Sequence, residues 1–187
     1  MANLKETSTS RILNHLKGDQ WAIISPYRSE RTEKENRELM NQLKAKIRSF
    51  GLGFNEFVSR WVEEGESFDE RSLLIPDLPA KIAMELGQAL DQSSVIVKDE
   101  KGCREVCTTP FESYIPGETV RTYNTEGRDF MNIEDAKDIF AKRKGGPASM
   151  PVKGNTPFHL SEMYEIEEPR PSYFQTKESW TKIYGED

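Results

Sequence analysis

The feature that most constrains this chain is a short apolar run, Trp21-Ala22-Ile23-Ile24-Ser25, stopped by Pro26. Such a run is too short for a buried helix, and a continuous apolar stretch ended by a breaker reads as a central strand. A central strand needs strands beside it and helices over it.

The next segment, about 30–49, is the clearest helix. Thr32 and Glu35 have the S/T-x-x-E spacing of a capping box. Leu39, Met40, Leu43 and Ile47 recur on one face, and Gly51-Leu52-Gly53 ends the pattern. Residues 54–62 and 67–75 are rich in aromatic and β-branched types and flank Glu63-Glu64-Gly65-Glu66, which predicts an antiparallel hairpin. Pro79 opens a second helix whose apolar stripe is Ile82, Ala83, Leu86, Ala89 and Leu90. Residues 94–98 and 103–108 flank Asp99-Glu100-Lys101-Gly102, a second hairpin.

The order strand, helix, two strands, helix, two strands predicts an α+β fold. The expected form is a mixed, mostly antiparallel sheet of about five strands with two helices packed on one face. This core spans 20–108. Ahead of it, the polar segment 1–19 is expected to hold a short helix over 8–17. Seven of the ten prolines fall in 109–187, which reads as a C-terminal extension. It carries a strand at 119–123, a helix at 133–143, a further strand over 158–166 and an aromatic tail.

Composition narrows the class. Charged residues at 31% and a mean hydropathy of -0.73 are polar for a globular protein, but 10% aromatics argue against disorder. No stretch approaches the roughly 18 apolar residues of a membrane span, and the N-terminus lacks the apolar core of a secretory signal. The expected location is the host cytoplasm or a virion. Two cysteines cannot build a disulfide framework and two histidines cannot support a His-rich metal site, so neither metal nor cofactor is expected. Cys103-x-x-x-Cys107 places both thiols on one face of a strand, where buried reduced thiols are the default. Residues 1–60 carry +4 and residues 61–187 carry -10, giving the net -6. That balance disfavours nucleic acid as a partner.

Four groups of residues are candidates for binding or docking. Tyr27 and Arg28 follow the first strand, with Asn36 in the next helix; in open α/β sheets the crevice beyond a central strand's carboxyl end is the usual ligand site. Arg28 there suits a carboxylate or phosphate; alternatively it pairs with Glu70 or a helix acid. Glu70 and Ser72 share one face of their strand with Leu74, opposite Asp69, Arg71, Leu73 and Ile75. The loop Lys142-Arg143-Lys144-Gly145-Gly146, continuing to Lys153, offers amides and cations to a phosphate or a partner, though its spacing is not that of a P-loop. Tyr173, Phe174 and Trp180 form a tail suited to docking on the core or on a partner.

Read in order, several motifs carry a resemblance: AIISPYR at the first strand and turn, ENRELMNQL in the helix, FGLGF after it, DERSLLI in a strand, ELGQALDQSSVIV across the second helix and into the next strand, and KDEKG in a hairpin. Over residues 21–107 the chain resembles the bacterial and phage family "domain of unknown function 3293", and 109–187 looks like a phage-type extension. The resemblance implies no activity. It does single out Tyr27, Arg28, Asn36, Glu70, Ser72 and Gln92 as the positions matching the family's polar pattern.

The expected function is a non-enzymatic phage-type interaction protein, virion-associated or host-directed, with a protein partner and no membrane. The alternative is a binder or enzyme for a nucleotide or phosphorylated small ligand at the sheet crevice. A third reading, nucleic-acid binding through the first basic helix and Lys142–Lys144, ranks below both.

Overall fold

The computed structural model describes residues 8–63, 66–123 and 148–151. In chain order these are α1 (Ser8–Leu16), β1 (Trp21–Ile24), α2 (Glu33–Ser49), β2 (Asn55–Glu63), β3 (Glu66–Pro76), α3 (Ala80–Ala89), β4 (Ser94–Asp99), β5 (Gly102–Cys107), β6 (Thr119–Tyr123) and β7 (Ala148–Pro151). The seven strands form one sheet in the order β6-β5-β4-β1-β3-β2-β7, so β1 is central, and the class is α+β as expected.

The sheet departs from expectation in two ways. It is antiparallel throughout, because β1 runs antiparallel to both of its neighbours, β3 and β4. It also draws in strands from beyond residue 109: β6 pairs with β5, and β7 with β2. The open edges of a five-stranded sheet present rows of unpaired N–H and C=O groups, and these two segments satisfy them. Ala148–Pro151, expected to be part of a loop, is therefore a strand. Pro151 is tolerated there because β7 is at the edge. The remaining loop residues Lys142, Arg143, Lys144, Gly145, Gly146 and Lys153 lie outside the described residues. So do the helix expected at 133–143, the strand at 158–166 and the tail residues Tyr173, Phe174 and Trp180.

Local chemistry sets the helix boundaries. Thr32 and Glu35 form the capping box: Glu35 N–H donates to Thr32 Oγ1 at 3.3 Å and Thr32 N–H donates to Glu35 Oε2 at 2.7 Å. Both long helices end in the same motif. In α2, Gly51 N–H donates to Arg48 O and Leu52 N–H to Ile47 O, with Gly51 at φ 75°. In α3, Asp91 N–H donates to Gln88 O and Gln92 N–H to Gly87 O, with Asp91 at φ 58°. These are Schellman ends. At α3 the left-handed position that glycine usually fills is held by an aspartate, at some conformational cost.

Alternation along the strands divides the core in two. Ala22 and Ile24 of β1, Leu73 and Ile75 of β3, Val95 and Val97 of β4 and Val106 of β5 face α2 and α3, meeting Met40, Leu43, Ile47 and Ala83. On the opposite face α1 lays Ile12 and Leu16 against Trp21, Leu74, Cys103 and Tyr123. Trp21 is sealed there, its indole N–H donating to Leu16 O at 3.0 Å. No helix among the described residues is long and apolar enough to cross a membrane.

Candidate functional site

Among the described residues, α1 covers one end of its face of the sheet. Beyond it, towards the carboxyl end of β1, lies a trough of about 300 Å³. The register explains its walls. Ile23 pairs with Leu74 on one side and Ile96 on the other, and Ile96 in turn with Glu105, so these residues share the trough face. Ser72 and Glu70 continue that face along β3 at two-residue steps. The rim comes from the turn after β1 (Tyr27, Arg28, Ser29, Glu30) and from the end of α3 (Asp91, Gln92).

The turn is held by its own polar groups. Ser25 Oγ donates to Arg71 O at 2.7 Å and accepts from Tyr27 N–H at 3.1 Å. Asn36, 5% exposed, clamps the Arg28 backbone from α2: its Oδ1 accepts from Arg28 N–H and its Nδ2 donates to Arg28 O, both at 3.1 Å. Asn36 therefore shapes the rim without lining the trough. Burial pushes the Tyr27 hydroxyl pKa up, with the nearby Glu33 carboxylate adding to the effect.

Arg28 does not pair with Glu70. Its Nη1 donates to both Asp91 O and Asp91 Oδ2 at 2.6 Å, and its Nε to Glu30 Oε2 at 3.3 Å. The hydrogen bonds with Glu30, ahead of the charge of Asp91, hold the guanidinium in its charged form. Glu30 is correspondingly lowered by its hydrogen bond with Arg28. Asp91 can reach Arg28 because it occupies the left-handed position at the end of α3. Sequence reasoning passed over both Asp91 and Arg31, which donates to Pro26 O at 2.7 Å and to Leu90 O at 2.9 Å. The available signal was the absence of glycine after α3, combined with two arginines in the turn facing a helix end.

Five of the six positions singled out beforehand line the trough: Tyr27, Arg28, Glu70, Ser72 and Gln92. Gln92 is 8% exposed; its Nε2 donates to Tyr27 O at 3.4 Å, while its backbone carbonyl accepts from the Thr108 and Thr109 hydroxyls. Glu105 was not anticipated. Its carboxylate accepts from Ser94 Oγ and pairs with Arg121 at 3.0 Å.

The two thiols do not contribute chemistry here. Cys103 and Cys107 are both buried and reduced, and burial pushes each pKa up to about 12. Among the described residues, no three His, Cys, Asp or Glu side chains are grouped to hold a metal ion.

Residues 25–95 match the model of a family described as "Protein of unknown function (DUF3293)". That stretch starts at the turn after β1 and runs into β4, so it contains Asn36 and all five of the trough positions just named. No curated protein matches the chain.

Proposed function

We propose that the protein is a non-enzymatic binding protein and that the trough on the α1 face of the sheet is its binding site. The observation that carries this reading is a pair of buried polar atoms on the trough wall with no partner among the described residues. Ser72 is 4% exposed and its hydroxyl is bonded to no other described group, although its place in the register turns it to the trough. Gln92 spends its Nε2 on Tyr27 O, and its Oε1 has no partner among the described residues. An unsatisfied buried polar group costs about 1–3 kcal/mol, and an occupant offering hydrogen bonds would remove that cost.

Binding is favoured over catalysis because the described residues of the lining include neither histidine nor cysteine. A serine nucleophile needs an adjacent base. Ser25, the other buried serine, is spent on Arg71 O. A phosphorylated occupant is poorly served, since the Arg28 guanidinium is engaged by Asp91 and Glu30, and four carboxylates line the same space. A virion-associated or host-directed role draws no support from the trough or from the family match.

The test is a fragment screen read by backbone amide shifts. Hits are expected to perturb Tyr27, Gln92, Ser94 and Ile96 together. A screen whose hits fall elsewhere, or that yields none, would remove the reading.

A further inference from the structure

The trough has an uneven chemistry. Among the described residues its lining includes Glu30, Glu70, Asp91 and Glu105 against the cation Arg28. Arg121 pairs with Glu105 and Glu70 has an interaction of its own, which leaves Glu30 and Asp91 on the rim as two acids sharing one arginine. Carboxylates in a concave site with low-dielectric walls focus their field on the enclosed space. The acids are spread along the rim and wall and are not gathered at a point; among the described residues no three could hold a metal ion. Any charge complementary to them must therefore be carried on an extended organic body.

The unpaired buried atoms point independently to the same chemistry. Gln92 must present Nε2 to Tyr27 O, because a carbonyl cannot bond a carbonyl, so the atom left without a partner among the described residues is the acceptor Oε1. The Ser72 hydroxyl, 4% exposed, also has lone pairs to offer. The same lining includes Ile23 and Ile96, both half-buried, and Tyr123. The amide oxygen can only accept and the hydroxyl can accept as well as donate, so both can be met by a donor, and the ammonium and guanidinium groups are the donor-only cations. The apolar side chains of the lining suit a short methylene stem.

We propose that the trough selects an ammonium or guanidinium group on an aliphatic stem, either as a free small amine or as a Lys or Arg side chain of a basic peptide. This rests on the reading of the trough as the binding site. Ser72 Oγ and Gln92 Oε1 accept from the cation's N–H groups, while Asp91 and Glu30 on the rim supply the surrounding charge.

The test titrates the full chain with agmatine, with a blocked Arg-containing tripeptide, and with inorganic phosphate and AMP as the anionic arm, following backbone amides at low and physiological salt. Agmatine or the tripeptide is expected to shift the amides of Ser72, Gln92 and Ile96; whichever binds more tightly identifies the source. Ser72→Ala is expected to weaken that binding about tenfold, the loss of one hydrogen bond to a charged group. Asp91→Asn, which keeps a residue that tolerates the left-handed backbone, is expected to weaken it about threefold and to flatten its salt dependence. Phosphate or AMP shifting these amides would overturn the cation inference and leave the binding site standing. If no compound of either charge shifts them, both fall. Cation binding that ignores Ser72→Ala and Asp91→Asn would overturn the assignment of these atoms.

Discussion

The two faces of this sheet are built by the same strands and finished in opposite ways. Towards α2 and α3, every inward position of β1, β3 and β4 in the cluster is Ala, Val, Leu or Ile, and none is more than 2% exposed. Towards α1, the same strands begin apolar and turn polar. Along β3 the trough face steps from Leu74 to Ser72 to Glu70 as the strand leaves the cover of α1. Alternation alone gives each strand two faces; the chain closes one with helices and lines part of the other with polar side chains. On the proposed reading, stability and binding are separated by a single residue step, which mutation can test.

Leu73→Ala should have the largest effect. Leu73 is fully buried between the sheet and the helices, and such truncations cost about 2–5 kcal/mol through lost transfer energy and a residual cavity. Urea unfolding would measure it. A cost under about 1 kcal/mol would mean the helix-covered face is not the main store of stability.

Gly87→Ala should come next and runs against helix propensity. Alanine gains about 1 kcal/mol over glycine in a helix, yet a Cβ at Gly87 would stand 2.6 Å from Val95 Cγ1 and 3.1 Å from Thr108 Cγ2. Overpacking of this kind costs about 1–3 kcal/mol, so a net loss of about 1 kcal/mol is expected in thermal unfolding. A stabilised variant would show that α3 can lift from β4 without cost.

A smaller effect, about 1 kcal/mol for a charge-assisted pair that is only partly exposed, is expected at the β4–β5 hairpin. Hydrogen bonds from the Arg104 side chain hold Asp99 below the usual carboxylate range. A carboxyl depressed in the folded state adds stability that is fully present above the ordinary aspartate pKa, about 3.9, and is lost as pH falls through the depressed value. Asp99→Asn should therefore unfold more easily than the parent near neutral pH and match it in strong acid. Parallel stability curves at every pH would break the assignment.

Much of the helix-covered half was legible in the sequence because its signals are local. The Thr32–Glu35 capping box, the Gly51 stop and the Lys101-Gly102 turn each act within a few residues. The other half depends on contacts distant in sequence. Nothing in the spacing of Ile12 and Leu16 says which face α1 covers. The partner of Arg28 was Asp91, 63 residues away, because a backbone conformation at the end of α3 brought it there. β7 was hidden by glycine and proline, which read as a loop until a sheet edge is available to pair with. Ser72 was placed on the correct face by alternation, but its lack of a partner among the described residues is visible only once its neighbours are in position.

The smallest expected effect is the one on which the contrast depends. Ser72→Ala should leave stability unchanged or raise it by up to about 1 kcal/mol. No described residue bonds the hydroxyl, so its removal breaks no hydrogen bond among them and ends any cost of its partial desolvation. The space it vacates opens into the trough and leaves no enclosed cavity of the kind that penalises core truncations. One residue along the strand, Leu73→Ala is expected to cost several times more, so the two variants in one unfolding series compare the faces directly. A loss of more than about 1 kcal/mol for Ser72→Ala would mean that the hydroxyl is already satisfied within the protein. The trough wall would then be another part of the core, with no acceptor waiting for a cation.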